Sequence, residues 1–401
     1  MKYRTKRIVI FLLLGCVLAV VGVCIVIRMH GRSIDYGSDE IRLKRLKSLP
    51  YAFFTKDKAD ANKKGVTRYE KGRACEGYNR YHGRIYTMEG QLLYDSGASY
   101  LIPLKDETVI LAYYDKPLIG RYRRGDNKPL WERNDFLMHH CITLSDRNTV
   151  LLITKETHRY RGRRVEWDVI VELSLDDGTL LSRWSTFDHR NTLKKFHDPH
   201  PLDIAPDGTE NQEEPYDYYH LNWINVLPET KLGHDDYRFQ KGHWLISLPH
   251  VNSIMILDRE TKDVLWAWGP GEVEFQHTPE MMANGNLLIF DNGIQRKYSR
   301  VIELDPSRKE IKWNYCPGEE FYSKEWGAAE RLPNGNTLIT DSEKGRAVEV
   351  THDGDVVWEY YCPYINRHGK RAKIYRMHRI TDKNITRILS KLKLNKQAES
   401  G

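Results

Sequence analysis

Short apolar runs separated by polar turns recur through the second half of the chain, and two of the segments they build read alike. Residues 276–315 run QHTPEMMANGNLLIFDNGIQRKYSRVIELDPSRKEIKWNY, and residues 326–360 run WGAAERLPNGNTLITDSEKGRAVEVTHDGDVVWEY. Each has an Asn-Gly-Asn turn (Asn284-Gly285-Asn286 and Asn334-Gly335-Asn336), then an apolar run closing on Asp291 or Asp341. An Arg-x-x-Glu strand follows (Arg300 to Glu303, Arg346 to Glu349), then a polar turn and a terminal Trp313 or Trp358. Asn-Gly between alternating apolar residues predicts a type I′ hairpin, which needs positive φ at both central positions. Each segment therefore reads as four short strands, and such a unit recurring at roughly 40–50 residues is a β-propeller blade.

The pattern extends backwards. LSDRNTVLLITK (144–155) aligns with LPNGNTLITDSE, and VIVELSLDDGTLLSRW (169–184) supplies outer strands up to Trp184. IPLKDETVILAYYD (102–115) opens a blade that ends at Trp131. HLNWINVLPE (220–229), HWLISLPHVNSIMILD (243–258) and VLWAW (264–268) make another. A sixth blade is expected to be shared between the two ends, GRIYTMEG (83–90) from one and KRAKIYRMHRI (370–380) from the other, since closing the ring removes free sheet edges. The predicted fold is all-β, a six-bladed β-propeller over residues 66–382. The stretch 185–219, rich in charge, Pro and His, is too long for an ordinary connection and predicts a cover over one face.

One segment departs from the strand pattern. Ile8 to Ile27 is uncharged and apolar, flanked by Lys2, Arg4, Lys6 and Arg7 before it and Arg28 after. A run of about 20 such residues spans a bilayer as a helix, and the leading basic residues place everything beyond Arg28 outside the cytoplasm. Residues 1–30 are thus predicted as a single-pass signal anchor in the cell membrane, with the C-terminal domain extracytoplasmic; a cleaved signal peptide is the competing reading. Residues 31–65 read as a stalk, and residues 383–401 as a basic tail carrying Lys391, Lys393 and Lys396. The net charge of +7 is mild and lies largely at the ends. No Lys/Arg stripe interleaved with aromatics appears, so no nucleic-acid partner is expected. No Cys-x-x-Cys appears either, which argues against redox catalysis and a thiolate zinc site.

Candidate chemistry comes from asking what stands at one equivalent place in every blade. On the innermost strands that place holds Gly327, His277, Asn222 and His139, with His140 and His220 beside it. Several imidazoles aimed into one channel are hard to read as separate core residues. Each remaining candidate also has a plain structural reading. Asp291-Asn292-Gly293 can be only a tight turn, and Arg296 only a partner of Asp291. Trp223 and Trp326 can be core rather than platforms for an aryl ring. Arg300 and Arg346 read as braces to Asp291 and Asp341.

Residues 65–95, His220-Leu221-Asn222, Gln276-His277, Phe290-Asp291-Asn292-Gly293-x-x-Arg296 and GAAERLPNGNTLITDSEKGRAVEVT together resemble the arylsulfotransferase family, over about residues 65–380. The resemblance implies a six-bladed propeller that moves sulfate from a phenolic sulfate ester to an acceptor phenol through a sulfohistidine, without a nucleotide donor and with no cofactor or metal. The chain has no Gly-rich phosphate loop, in agreement. His277, His220, His139, His140 and Arg296 are then the expected catalytic residues, with Asn222, Asn292, Trp223 and Trp326 on the substrate. Arg296 suits two sulfate oxygens at once, and the imidazoles suit proton transfer or attack on sulfur. The resemblance does not place the nucleophile, because the last clear blade has Gly327 where an inward His would stand and His352 falls in an outer turn. His139, His140 and His277 stay open for it. Three other classes stay open too: a membrane-tethered binding module without catalysis, a quinone-dependent dehydrogenase lacking its vicinal cysteines, and a metal site of His139, His220 and His277.

Overall fold

The computed structural model of the protein describes residues 53–114, 116–123, 128–204 and 215–399. Among these, six antiparallel sheets form a six-bladed β-propeller. The first blade is Tyr100–Pro103, Thr108–Ala112, Ile119–Arg123 and Pro129–Arg133. The second is His139–Leu144, Thr149–Tyr160, Arg163–Ser174 and Leu180–Ser185, with Tyr216–Asp217 added in parallel. Trp223–Val226, Trp244–Leu248, Ser253–Leu257 and Val264–Trp268 make the third. His277–Met281, Leu287–Asp291, Arg300–Asp305 and Glu310–Tyr315 make the fourth. The fifth is Ala328–Arg331, Thr337–Asp341, Arg346–Val350 and Val356–Tyr361, with Gly65–Tyr69 on its outer edge.

The sixth blade closes the ring as the sequence predicted. His378–Ile380 forms its inner strand, and Tyr78–Tyr81, Arg84–Tyr86 and Leu92–Asp95 come from the other end.

The repeated outer tryptophan has a physical reason. Trp131 Nε1 donates to the Leu175 carbonyl at 2.9 Å, Trp266 to Pro306 at 2.9 Å, Trp313 to His352 at 2.8 Å and Trp358 to Met88 at 2.9 Å. In each case the acceptor belongs to the next blade, so in four of the six blades an indole fixes the neighbour's register; Trp184 of the second blade is buried without a partner for its Nε1.

The Asn-Gly-Asn hairpins form with a different turn from the one expected. Positive φ occurs at Gly285 (87°) and Gly335 (89°), and not at the asparagines before them. The loop closes from Met282 N to Asn286 O at 2.8 Å and from Leu332 N to Asn336 O at 2.8 Å. Asn284 and Asn334 cap it by accepting from the backbone N–H two residues on. This is a longer loop with glycine in the left-handed region, not a two-residue type I′ turn. The brace expected at Arg300 is present, 2.8 Å from Asp291 Oδ2. Arg346 instead pairs with Glu359 on the adjacent strand, diagonal to it in the ladder.

The expected membrane helix over residues 8–27 lies outside the described residues, and among those described no helix is long and apolar enough to cross a membrane. From residue 53 the predicted stalk lies against the propeller: Phe54 bridges Ala372, and Thr55 N donates to Arg371 O at 2.8 Å. The tail folds as a helix over Lys383–Glu399, with Ile388 and Leu389 buried. The described parts of the 185–219 stretch pack on the second blade, burying Leu193, Leu202, Tyr218 and Tyr219 against Trp167 and Trp184.

Candidate active site

Two irregularities deliver the central histidines. The ladder register slips between His277 and Glu280 and again opposite His139, and the residue after each histidine, Thr278 or His140, has φ of 48° or 60°. A bulge with a left-handed residue turns consecutive side chains off the alternating pattern, so His139 and His140 both reach the polar interior. His220, at φ 57°, leads into the third blade's inner strand in the same left-handed conformation.

These histidines form a continuous chain. Asp217 Oδ2 lies 2.5 Å from His220 Nδ1, His220 Nε2 lies 3.1 Å from His140 Nε2, and His140 Nδ1 lies 2.5 Å from His139 Nδ1. His139 Nε2 ends the chain 3.2 Å from the Thr154 carbonyl and 3.4 Å from Asp168 Oδ1. The partners assign the protons. His139 donates through Nε2, His140 through Nδ1, and His220 through both nitrogens, so the one excess proton sits on His220. The titration directions agree. Burial holds His139 down at about 3 and His140 well below its ordinary value. Burial also opposes a charge on His220, but the hydrogen bond and charge of Asp217 outweigh it and raise the pKa above 6.5. Asp168 is pushed up to about 7, by burial first and then by the charge of Asp217.

His277 stands apart from the chain. Its ring is buried, and Nδ1 donates to Asn292 Oδ1 at 2.8 Å and to the Phe275 carbonyl at 3.0 Å. Asn292 is held in the accepting orientation by its own Nδ2, which donates to the carbonyls of Ser323 (2.6 Å) and Trp326 (3.0 Å). The tautomer is therefore fixed with the lone pair on Nε2, an atom that has no hydrogen-bond partner. Burial keeps the ring neutral, with its pKa lowered to about 3. A buried, neutral, unpartnered imidazole nitrogen keeps its lone pair free, which is the state in which such a group can act as a nucleophile.

The other predicted residues divide. Asn222 is fully buried, and its Nδ2 donates to the Gln276 carbonyl at 3.0 Å, so it positions the residue before His277. Arg296 is engaged elsewhere: Nη2 lies 3.0 Å from Asp291 Oδ2, Nε donates to the Tyr298 carbonyl, and the guanidinium covers the Tyr298 ring. Trp223 is buried under the guanidinium of Arg376, 4.0 Å from its ring centroid. Trp326 meets Tyr375 edge-on at 5.3 Å.

Arg376 and its surroundings were not singled out from sequence. Arg376 is 6 % exposed, its Nε has no partner, and it lies close enough to disfavour charge on His277. Tyr100, Tyr114 and Tyr375 form an aromatic run beside it, and Tyr114 Oη donates to the His140 carbonyl at 2.9 Å. The available signal was position: Arg376 belongs to the closing segment assigned to the sixth blade, two residues before its inner strand. The place equivalent to His277 in the fifth blade is filled. A side chain on Gly327 would put its Cβ 2.2 Å from the Phe290 ring.

Several solved structures are similar to the chain. A protein of unknown function from Bacteroides caccae shares 14% identity and a TM-score of 0.45, over 77% of this chain and all of that one. Virginiamycin B lyase from Staphylococcus aureus shares 14% at 0.40, over 78% and 86%, and AztD from Citrobacter koseri 10% at 0.37, over 78% and 88%. At these values none bears on the chemistry. No curated protein matches the chain in sequence. The model of the arylsulfotransferase (ASST) family does match, over residues 122–363. That span is more than half of the chain and includes every residue predicted for the site, and the protein belongs to the arylsulfotransferase family.

Proposed function

We propose that the chain transfers a sulfuryl group from a phenolic sulfate ester to an acceptor phenol through a sulfated His277, without a nucleotide donor. The observation that carries this reading is the unpartnered Nε2 of His277, fixed as a lone pair by Asn292. In the first half-reaction Nε2 attacks sulfur, the S–O(aryl) bond breaks, and the leaving phenolate takes the proton of His220. In the second, the acceptor returns a proton to His220 and its oxygen attacks sulfur, breaking the N–S bond and restoring His277. Both histidines border the Phe275 ring, whose centroid lies 6.1 Å from that of His220 and 5.9 Å from that of His277. His140 and His139, held neutral by burial, leave the excess proton on His220 beside Asp217. Arg376 supplies the positive charge that a transferring sulfuryl group needs, since such a transfer depends on positioning and charge stabilisation.

The test is an assay of the full-length protein with a chromogenic aryl sulfate and a simple phenol. Sulfated acceptor that forms only with both substrates present supports the reading, and a folded protein that never releases the chromophore contradicts it.

Two further results are expected. Arg376→Lys keeps a charge but loses the planar fork over Trp223, and kcat with the aryl sulfate should fall by about a hundredfold. The pH profile should have a basic limb above 6.5, because His220 must be protonated to deliver its proton. The groups that set this limb are Asp217, Asp168, Lys155, His140 and His250. Asp217→Asn removes the charge that raises the pKa, so the limb should move to lower pH in stopped-flow measurements of phenol release. Stability follows the same sign. The contribution of this raised histidine is complete below 6.5 and is lost as pH rises through the folded value.

A further inference from the structure

A pocket of about 30 Å³ lies where the first blade meets the closing sixth, and neither His277 nor His220 lines it. The inner strand of the first blade gives Tyr100, and the loop after its second strand gives Tyr114. The sixth blade gives Arg80, and the segment before its inner strand gives Tyr375 and Arg376. The Tyr114 ring meets Tyr100 edge-on at 5.3 Å and Tyr375 at 6.1 Å, so three phenols surround one small space.

Acceptors and donors along this wall do not balance. The acceptors are taken. Ser99 Oγ accepts from Tyr114 N at 3.1 Å, and His82 Nε2 accepts from Tyr375 N at 3.1 Å. The His140 carbonyl accepts from Tyr114 Oη, and the Leu101 carbonyl from Arg80 Nη1. Three buried groups are left without a partner: Tyr100 Oη, Tyr375 Oη and Arg376 Nε. All three can donate, and Nε can only donate. Leaving a buried donor unmet is costly, so three in one small space point to an occupant that accepts. A water there would have to place its own two hydrogens, with only the phenol oxygens still able to take them. An anion accepts from all three and gives nothing back.

Charge points the same way. Arg80 and Arg376 both line the pocket, and among its described lining residues there is no carboxylate. The carboxylates that these guanidinia feel are Glu330 and Glu280. Glu330 Oε2 is already engaged, accepting from Arg379 N at 3.1 Å with His378 Nδ1 3.5 Å away. Burial lifts Glu330 to about 7 and Glu280 to about 8, which reduces the negative charge opposing a bound anion. Size decides the rest. A space of about 30 Å³ takes one water-sized particle, and a sulfate or an aryl sulfate needs more room. We propose that this pocket binds a single halide ion, chloride, between Tyr100 Oη, Tyr375 Oη and Arg376 Nε. The ion pins the closing segment of the chain to the first blade. Its binding does not depend on sulfuryl transfer, so either reading can fail without the other.

Thermal unfolding of the full-length protein, with chloride exchanged for gluconate at constant ionic strength, reads the site. Wild type should lose stability in gluconate and regain it with bromide. Tyr100→Phe combined with Tyr375→Phe removes two of the three donors and keeps both rings. Halide affinity in that variant should fall by at least about tenfold, and its midpoint should hardly differ between the two salts. In gluconate the variant has lost only unpaired hydroxyls, so it should be at least as stable as wild type there. No chloride dependence in wild type overturns the proposal, as does an equal dependence in both proteins. Bromide-soaked crystals locate the ion without any variant. Anomalous signal within hydrogen-bond distance of Tyr100 Oη, Tyr375 Oη and Arg376 Nε is the expected result, and a water at that place with bromide bound only elsewhere overturns it.

Discussion

His277→Ala is expected to lose sulfuryl transfer by at least about 10⁴-fold, the scale on which removing a nucleophile acts when nothing nearby replaces it. Nothing nearby does. His139 and His140 have both ring nitrogens engaged within the chain, and His220 carries the proton and is bound to Asp217. Substitution leaves Asn292 Oδ1 without its donor, at a cost of about 1–3 kcal/mol. It also removes an Nε2 that was itself buried and unpaired, so part of that cost is offset and the fold should persist. Circular dichroism and thermal unfolding check persistence, and steady-state transfer checks the loss. Retention of more than a few per cent of activity in a folded variant would place the reaction on another group.

The second large effect is structural. Arg379→Met should destabilise the propeller by about 3–5 kcal/mol, the usual result of leaving a buried charge unpaired. Arg379 lies on the inner strand of the sixth blade and ties both ends of the chain together. Nε donates to Asn79 Oδ1 at 2.8 Å, Nη1 lies 2.9 Å from Glu349 Oε2, and Nη1 also donates to the Cys75 carbonyl. Both side chains of the ion pair are wholly buried. Glu349 also accepts from Cys75 N and from Asn336 Nδ2, so one cluster joins the fifth blade, the chain entering the sixth, and the closing strand. Equilibrium denaturation of the variant measures the loss. Arg379→Met with Glu349→Gln should recover part of it, because the stranded charge is then gone.

The blades were legible in the sequence because each repeats a local signal. The Asn-Gly-Asn turns carry glycine where a left-handed residue is needed, and in four blades the outer strand carries an indole that bonds the next blade. The closing blade was legible because a ring leaves no free edge. The turn type was misread, since composition shows that Asn-Gly bends the chain but not how many residues the loop uses. In the site, inner-strand equivalence found His139, His140, His220 and His277, and the contact between Arg300 and Asp291 followed from spacing. The bulges at His140 and Thr278 were invisible, because no residue type requires them. Asp168 sits on the third strand of its blade and Asp217 on an added one, so neither shares the inner-strand position. Arg296 stands in the most motif-like context, yet Asp291 is close in sequence and engages it first. Arg376 lies in an irregular segment before a short strand, where no period points at the channel.

The central claim is that sulfur rests on His277 Nε2 between the two half-reactions. The measurement that tests it most directly is acid-free mass mapping of the protein after rapid mixing with an aryl sulfate and no acceptor. The account predicts a burst of free phenol matched by one sulfuryl group on the peptide containing His277, discharged when 2-naphthol is added. A sulfuryl group found on any other residue, or phenol released only when acceptor is present, would contradict it.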